Sequence, residues 1–422
     1  MKVKVVILGS FLTFFFIIVA PSLCIKEIEP HLSFQRVERS NPLLFDFSDS
    51  QKKQLKQLFN AIQHYLDFAV KAVDEDATLF KTWFHPYDAD TVKRKLTRMR
   101  SIVTSASYSY NKFSTSDDCR EFNGEYPLAY KTKGVSTVYV CPVFFDLPPL
   151  VGTYVTQLEA IVHELAHFVL LDEGTDIYGK YPSKILARSP GRASNNADNY
   201  AYFVRYVNPF HYKWDSQMQM KMNTRPTYIT SGPIYVRISG NNGTIDCGYP
   251  KLLKDLGREL RMTLPEIFLQ GFDAMATDSV SGTEAVYIFK GNQYVFFNGS
   301  MSGPHLLSEQ FAQLSHGFEQ GIDAALSFGE LYLFKGNQVV AYSLTSKNIV
   351  YGGYKETATS LSAAGMTVPD GFHGNFDTSK LDINELKYCF SKAKQFVCLD
   401  PINKGTITHT NLKDRIGTAR VC

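Results

Sequence analysis

The chain has 422 residues, of which 44% are hydrophobic and 20% are charged, and its formal net charge is +3. This is the composition of an ordinary globular protein, and the length is sufficient for two domains. So small a net charge argues against nucleic acid as the main partner, because a nucleic-acid-binding surface needs a stronger basic footprint.

The N-terminal segment, residues 1–24, has the pattern of a secretory signal peptide. Two lysines precede an apolar run from Val5 to Ala20, and the small residues Ser22 and Cys24 form a plausible cleavage site. We therefore expect a secreted, extracellular chain with no membrane span in its mature form, since no later run is apolar enough to cross a bilayer. A single membrane anchor is the alternative interpretation. The polar residues 25–44 are interpreted as a spacer or short pro-segment.

Helical periodicity dominates the following part of the chain. Residues 48–73 repeat apolar side chains at helical spacing after a serine that can serve as the N-cap, and residues 91–110 predict a second helix. Residues 136–145 have the β-branched and aromatic content of a strand. Residues 155–171 predict a third helix with one apolar side.

The third predicted helix contains an arrangement typical of metal hydrolases, His163-Glu164-Leu165-Ala166-His167. Residues four apart lie on one face of a helix, so His163 and His167 can direct their imidazoles at one cation. Glu164 stands beside them and can take a proton from water, whose pKa a zinc ion lowers to about 7. Burying two histidines around a glutamate would be costly without a metal, so we predict a Zn²⁺ site with Glu164 as general base and acid.

A hydrolytic zinc site needs a third protein ligand, and the residues themselves leave its identity open. Asp172 follows His167 so closely that the helix would have to end abruptly. Gly174 allows the chain to turn back, which favours Asp176. Tyr178 is a candidate donor to the oxyanion that forms when water attacks a peptide carbonyl, with ordinary packing as the alternative.

From about residue 223 the sequence changes to short aromatic runs between glycine, asparagine and serine turns. Residues 271–297 and 321–343 resemble each other, since both carry Asp-Ala followed by an apolar run that ends in Phe-Lys-Gly-Asn-Gln. Residues 375–399 are a degenerate copy of this repeat, and residues 231–245 are interpreted as a weakly preserved first copy. This repeat indicates the blades of a β-propeller or a similar array, because one such unit cannot bury its apolar face alone.

A set of landmarks occurs in order between residues 45 and 210. They are Thr-Trp-Phe at residues 82–84, Cys119, Cys141 before a proline, the His-Glu-x-x-His helix at residues 163–167, Asp176 and Asn-Ala-Asp at residues 196–198. In this order they resemble the aspzincin metallopeptidases, the group of deuterolysin and peptidyl-Lys metalloendopeptidase. The resemblance implies an α+β zincin-like catalytic domain in which His163, His167 and Asp176 hold zinc.

The chain departs from the family pattern in two places. The family's Gly-Thr-x-Asp-x-x-Tyr-Gly is shortened here to residues 174–179, so the turn that carries Asp176 and Tyr178 must be rebuilt. In the lysine-specific members, the residue at the place of Asp198 and an acidic residue three positions later hold the substrate lysine, but the later position here is Ala201. Asp198 is therefore a predicted substrate-binding residue, with a helix cap or structural hydrogen bond as the alternative, and strict lysine preference is not implied.

The repeat region resembles hemopexin-like propellers, in which an Asp-Ala pair opens each blade. The resemblance implies an all-β binding module for a protein, glycan or matrix ligand.

Six cysteines remain after Cys24, and an even number in an exported chain indicates disulfides. The expected pairs, the first from the aspzincin resemblance and the others from the propeller resemblance, are Cys119–Cys141, Cys247–Cys422 and Cys389–Cys398.

The sequence therefore predicts a secreted zinc endopeptidase that acts on protein or peptide substrates, with a preference for lysine next to the scissile bond as a further expectation. A secreted binding or toxin-like protein with an inactive peptidase domain stays open, because the turn after the zinc helix is shortened. A different metallopeptidase clan with Glu173 as ligand also stays open. The predicted domains are the signal peptide (1–24), the spacer (25–44), the zinc metallopeptidase domain (45–215) and the linker with the propeller (216–422).

Overall fold

The computed structural model describes residues 42–111, 119, 127–132, 134–170, 176–220, 226–239, 244–278, 285–363, 369–382, 387–400 and 405–416. The predicted signal peptide lies outside these residues. Among the helices that the model describes, none has the length and apolar character needed to span a membrane.

The N-terminal region combines α-helices with one small mixed sheet. The order of its strands is β1 (Leu43–Phe45), β2 (Ser107–Tyr110), β4 (Thr137–Val140) and β3 (Ala129–Lys131), with β1, β2 and β4 parallel and β3 antiparallel to β4. The described helices of this region are α1 (Asp49–Glu75), α2 (Ala77–Trp83), α3 (Ala89–Ser105), α4 (Gln157–Ala166), α5 (Lys180–Leu186) and α6 (Ala197–Tyr206).

Helix α1 is the longest element of this region and begins where the sequence predicts. The Ser48 hydroxyl accepts a hydrogen bond from the backbone N–H of Gln51, and the Gln51 side chain accepts one from the backbone of Ser48. This capping box satisfies backbone donors that have no partner inside the helix. The apolar side of α1, including Leu58 and Ile62, is fully buried.

The predicted helix 91–110 is wrong at its C-terminal end. Helix α3 ends at Ser105, and residues 107–110 form β2, which lies between β1 and β4. The Ser-Tyr-Ser-Tyr alternation suits a strand with one buried face, and Tyr108 is fully buried while it donates its hydroxyl proton to the carbonyl of Val103. Residues 107–110 form a strand because they pair with β1 and β4, which lie far away in the chain. The spacing of apolar residues within the segment does not reveal this pairing.

The C-terminal region consists of four four-stranded antiparallel sheets, which are the blades of a propeller. The first two blades contain β5 (Ser216–Gln219), β6 (Thr227–Ser231), β7 (Ile234–Ile238), β8 (Lys251–Leu252), β9 (Ala274–Asp278), β10 (Ala285–Lys290), β11 (Gln293–Phe297) and β12 (Met301–Leu306). The last two contain β13 (Ala324–Phe328), β14 (Glu330–Lys335), β15 (Gln338–Ser343), β16 (Asn348–Glu356), β17 (Thr378–Asp382), β18 (Lys387–Lys392), β19 (Gln395–Asp400) and β20 (Gly405–Asn411). The described helices of this region are α7 (Leu253–Glu259), α8 (Leu307–Gln310), α9 (Thr357–Ala363) and α10 (Leu412–Arg415).

An aspartate just before the first strand of each blade explains the repeated sequence pattern. In the second blade, Asp273 accepts a hydrogen bond from the backbone N–H of Gly291 at 2.6 Å and pairs with the Lys290 ammonium at 2.7 Å. The carboxylate thereby ties the start of the blade to the turn between its second and third strands. The equivalent carboxylate–backbone pairs are Asp215–Gly232, Asp323–Gly336 and Asp377–Ala393.

The first blade packs against helix α1. The imidazole Nε2 of His64 lies 3.0 Å from the hydroxyl of Ser231, at the turn between β6 and β7. Gly232 adopts a φ of +51°, and a Cβ at this position would come within 2.7 Å of the His64 ring. One buried apolar cluster continues from α1 into the first blade. The propeller is therefore seated directly on the longest helix of the N-terminal region.

Two of the three predicted disulfides are confirmed. Cys119 and Cys141 are bonded, and Cys389 is bonded to Cys398, which faces it across β18 and β19. Cys422 lies outside the described residues, so the predicted bond between Cys247 and Cys422 stays a prediction.

Candidate metal centre

Helix α4, which positions the two predicted histidine ligands, is held in place at its N-terminus. Thr156 and Glu159 form a capping box, and Glu159 also accepts a charge-assisted hydrogen bond from Arg205 of α6 at 2.6 Å. Arg205 additionally donates to the carbonyl of Gly152 at 2.5 Å. These contacts fix α4 against α6, so the histidines of α4 face a defined part of α6 and the loop before it.

Three of the predicted ligands come together at the C-terminal end of α4. The Nε2 atoms of His163 and His167 lie 3.2 Å apart, and Oδ2 of Asp176 lies 3.2 Å from the first and 2.9 Å from the second. All three ligand atoms lie within 4.8 Å of one another. His167 is the C-cap of α4 but keeps helical backbone angles, which leaves its ring on the same face as that of His163.

This donor set suits a zinc ion. A tetrahedral zinc with ligands at about 2.0–2.1 Å separates its donor atoms by roughly 3.3 Å, close to the observed spacing. Burial lowers the pKa of His163, but hydrogen bonds to Asp176 and Asp198 raise it to about 10, so the site favours a positive charge. Burial also acts to raise the pKa of Asp176, yet the two histidines hold it well below its usual range. A buried carboxylate and two imidazoles that converge in this way fit a bound cation.

Asp198 lies behind His163, on the side away from the other ligands. Its Oδ1 is 2.7 Å from Nδ1 of His163, and its Oδ2 accepts a hydrogen bond from the backbone N–H of Gly179 at 2.6 Å. A carboxylate on Nδ1 fixes the tautomer that leaves Nε2 free for a metal. The structure thus gives Asp198 contacts that the predicted substrate-binding role does not include, and that role stays a prediction.

The loop that carries Asp176 is clamped by Asn196, which the sequence analysis names only as part of a family landmark and to which it gives no role. The Asn196 side chain accepts from the backbone N–H of Ile177 at 2.8 Å and donates to the carbonyl of Ile177 at 3.1 Å. Asn196 is held in turn by Asn199, whose amide also donates to the carbonyl of Trp83 at 2.6 Å. This clamp brings Asp176 to the histidines despite the shortened turn.

The alternative ligands Asp172 and Glu173 lie outside the described residues.

Glu164 is 7% exposed and lies between the two ligand histidines in sequence. Burial raises the pKa of its carboxyl to about 7, and the positive charge of His163 and His167 limits that rise. A carboxyl group with this pKa can both accept and donate a proton near neutral pH.

Tyr178 lies at the edge of the site, where its ring stacks on that of His163 with centroids 5.5 Å apart. Its side chain is largely exposed, at 67%. Partial burial and the negative charges of Asp176, Glu164 and Asp198 raise the pKa of its hydroxyl to about 12, so the hydroxyl keeps its proton at neutral pH.

Together, the fold and the site define a domain in which the two histidines of one helix converge with a following aspartate on a candidate metal position, joined to a four-bladed propeller. Residues 69–205 match the family model described as lysine-specific metallo-endopeptidase, of the aspzincin type. The match lies within the N-terminal region that carries the site. The predicted resemblance and the predicted fold class are confirmed.

Curated relatives match about a third of the chain. The chain is 32% identical over 129 residues to a peptidyl-Lys metalloendopeptidase from Armillaria mellea, which covers 30% of this chain and 35% of that protein. It is 34% identical over 140 residues to an extracellular protease from Aeromonas hydrophila, which covers 32% and 37%. A probable neutral protease 2 homolog from Arthroderma benhamiae is 29% identical over 142 residues, covering 32% and 38%. The match therefore spans little more than a third of these relatives' length.

Two solved structures are each similar to a part of the chain. A zinc peptidase from Grifola frondosa matches at 27% identity with a TM-score of 0.31, covering 38% of this chain and 96% of that one. A hemopexin fold protein from cow pea matches at 23% identity with a TM-score of 0.40, covering 48% of this chain and 94% of that one.

Proposed function

We propose that this chain is a secreted zinc endopeptidase that hydrolyses peptide bonds in protein or peptide substrates. The observation that carries the proposal is the convergence of His163, His167 and Asp176 within 4.8 Å, next to the buried carboxyl group of Glu164. The printed names of the relatives, which include an extracellular protease and a peptidyl-Lys metalloendopeptidase, support it.

In the proposed mechanism, zinc would be held by Nε2 of His163, Nε2 of His167 and Oδ2 of Asp176. When bound, it supplies a Lewis acid that lowers the pKa of water towards about 7. Glu164 accepts the proton released when water attacks the carbonyl carbon and then delivers it to the leaving amine. Its pKa of about 7 lets it do both near neutral pH.

Two further residues support these steps. Asp198 holds the His163 ring so that Nε2 faces the metal position, which makes it a positioning residue in this proposal. Tyr178 keeps its phenolic proton and lies at the edge of the site, so it can donate a hydrogen bond to the negative oxygen that develops on the substrate carbonyl.

The proposal does not include a strict requirement for lysine. Both oxygens of Asp198 are engaged with His163 and Gly179, and Ala201 stands where lysine-specific members of the family have a second acidic residue. A carboxylate already shared between two donors attracts a substrate ammonium less strongly than a free pair of carboxylates would. We therefore propose cleavage that is not confined to bonds next to lysine. Recruitment of substrate or matrix is the proposed role of the propeller.

Two variants of the mature protein test the mechanism, with zinc content and casein cleavage measured on the same samples. Glu164→Gln should keep its zinc and lose at least about 100-fold in kcat/KM, because the proton acceptor is gone. Asp176→Ala should lose both zinc and activity, because one of three ligands is removed. Glu266→Gln, an exposed glutamate on the propeller side, is the control for the amide substitution and should behave as wild type.

The same samples separate this proposal from its rivals. Wild-type protein that binds zinc but cleaves nothing would favour a binding protein with an inactive peptidase domain. Asp176→Ala protein with full zinc content would favour Glu173 or another ligand. Mapping cleavage sites in a peptide library in which each lysine-containing peptide has an alanine counterpart tests the substrate preference. Cleavage of lysine peptides alone would contradict the preference proposed here.

A further inference from the structure

The propeller contains a cavity of about 430 Å³ between its third and fourth blades. Strands β14, β15 and β16 and helix α9 form one side of it, and β18 forms the other. Its apolar lining includes Tyr332, Phe334, Val339, Ala341, Leu361 and Phe390. A volume of roughly 300–1,000 Å³ is typical of small-molecule sites.

The second blade shows how this space is filled elsewhere in the propeller. In that blade, Phe289 faces Tyr294 and Tyr287 faces Phe296 across β10 and β11. The rings of Tyr287 and Phe296 lie 4.7 Å apart, and Tyr294 lies 5.3 Å from Phe311 of the following segment. Four aromatic rings on one sheet face therefore pack against one another and against the next blade.

The third blade has the same register with smaller residues. Phe334 faces Val339 and Tyr332 faces Ala341 across β14 and β15. Valine and alanine thus stand where the second blade has tyrosine and phenylalanine. Leu361 also replaces the aromatic residue Phe311, since both lie four residues after the segment's first helical residue. The cavity is the volume that these replacements leave, and Phe390 of the fourth blade fills only part of it.

The lining also contains one buried hydroxyl group to which no described side chain or backbone group is hydrogen-bonded. The Ser360 hydroxyl lines the cavity, is buried, and has no hydrogen-bond partner in the part of the chain that the structure describes. A buried hydroxyl group without a hydrogen bond is unfavourable, so a ligand that accepts one from it gains affinity. Lys355 lines the same cavity and is exposed, and no carboxylate belongs to the described lining. The cavity thus combines an apolar interior with a positive charge and a hydroxyl group.

We propose that this cavity binds a small molecule with an apolar body and a carboxylate head, of the fatty acid class. The apolar body would pack among the aromatic and aliphatic side chains, where burial of its surface provides the free energy of binding. The carboxylate would pair with the ammonium of Lys355 and accept a hydrogen bond from Ser360. This site is separate from the metal centre and does not depend on peptidase activity.

Calorimetric titration of the full mature chain with dodecanoate below its micelle concentration tests the proposal. Dodecyltrimethylammonium, which has the same chain and the opposite charge, serves as the comparison ligand. Dodecanoate should bind at least about tenfold more tightly than the ammonium compound, because the charged residue in the described part of the lining is a lysine. Equal affinities would overturn the assignment of an anionic ligand.

Three variants locate the binding. Ala341→Phe restores the aromatic residue of the second blade, fills the cavity and should abolish dodecanoate binding. Lys355→Gln should weaken dodecanoate binding and leave binding of the ammonium compound unchanged. Lys347→Gln removes an exposed lysine of the same blade away from the cavity and should bind dodecanoate as wild type does.

Thermal unfolding establishes that each variant is folded before its titration is interpreted. Wild-type affinity in folded Ala341→Phe would overturn the location, as would equal loss in Lys355→Gln and Lys347→Gln. Lys355 is exposed, so its substitution should not affect folding. Lys355→Gln therefore tests the proposal even if Ala341→Phe does not fold.

Discussion

Asp198 of the peptidase domain and Asp323 of the propeller make the same pair of contacts. Each carboxylate accepts a hydrogen bond from the backbone N–H of a glycine with one oxygen and contacts a side-chain nitrogen with the other. In the propeller, the nitrogen belongs to Lys335 and the arrangement fixes a turn. In the peptidase domain, it belongs to His163, which is also a proposed metal ligand. The same local contact is structural in one region and serves the proposed chemistry in the other.

This difference predicts which property of the protein each substitution changes. Removing the carboxylate should reduce stability in the propeller, where its only role is to tie a blade together. In the peptidase domain it should reduce metal affinity and activity, because a ligand loses its orientation. The contact between helix α1 and the first blade determines whether a substitution in one region changes the stability of the other.

The largest expected effect is at that junction, through His64. Burial against the first blade lowers the pKa of His64 from 6.5 to about 4, while the nearby charges of Asp215 and Asp67 raise it and those of Lys213 and Lys71 lower it. The unfolded chain therefore binds a proton at a pH at which the folded chain does not. Stability should fall as the pH drops from 6.5 to about 4, by up to about 3 kcal/mol, and change no further through His64 below that interval.

Urea unfolding of wild type and His64→Gln across this pH range measures that effect, with chelator present so that metal binding contributes to neither protein. The free energy of unfolding of wild type should fall more steeply than that of the variant. Parallel curves would mean that His64 is not buried against the propeller, and that the two regions are not seated on each other as described.

The next effect is on metal binding. Asp198→Ala should weaken zinc affinity and lower kcat/KM by roughly 10- to 100-fold, because the contact that orients His163 is lost. Asp198→Asn keeps an acceptor for the Nδ1 proton and should lose less. Zinc competition with a chelator and casein kinetics on both variants measure this. A lower melting temperature with unchanged zinc affinity would show that Asp198 has a purely structural role.

The smallest effect is expected in the propeller. Asp323→Ala removes the acceptor of the Gly336 N–H and should cost about 1 kcal/mol of unfolding free energy. The ion pair with Lys335 adds little, since both side chains are about a third exposed, at 35% each. Asp273→Ala makes the same change one blade earlier and should cost a similar amount. Reduced zinc affinity in either variant would contradict the separation of roles.

The parts of the structure that the sequence predicts correctly rest on spacing within one segment. Four-residue spacing brings His163 and His167 to one face of α4, because helix geometry fixes that relation wherever the helix lies. The Asp-Ala and Lys-Gly repeats predict the blades, because each carboxylate contacts a turn of its own blade. The strand at residues 107–110 was predicted as helix, because its partners β1 and β4 lie far away in the chain.

The sequence by itself determined the zinc helix and the order of peptidase domain and repeats, since both depend on local periodicity. Only the tertiary structure placed Asp198 behind His163, clamped the loop of Asp176 with Asn196 and left a cavity at Ala341. Each of these depends on which distant segments meet. That is set by the packing of whole helices and sheets, so no spacing within one segment encodes it.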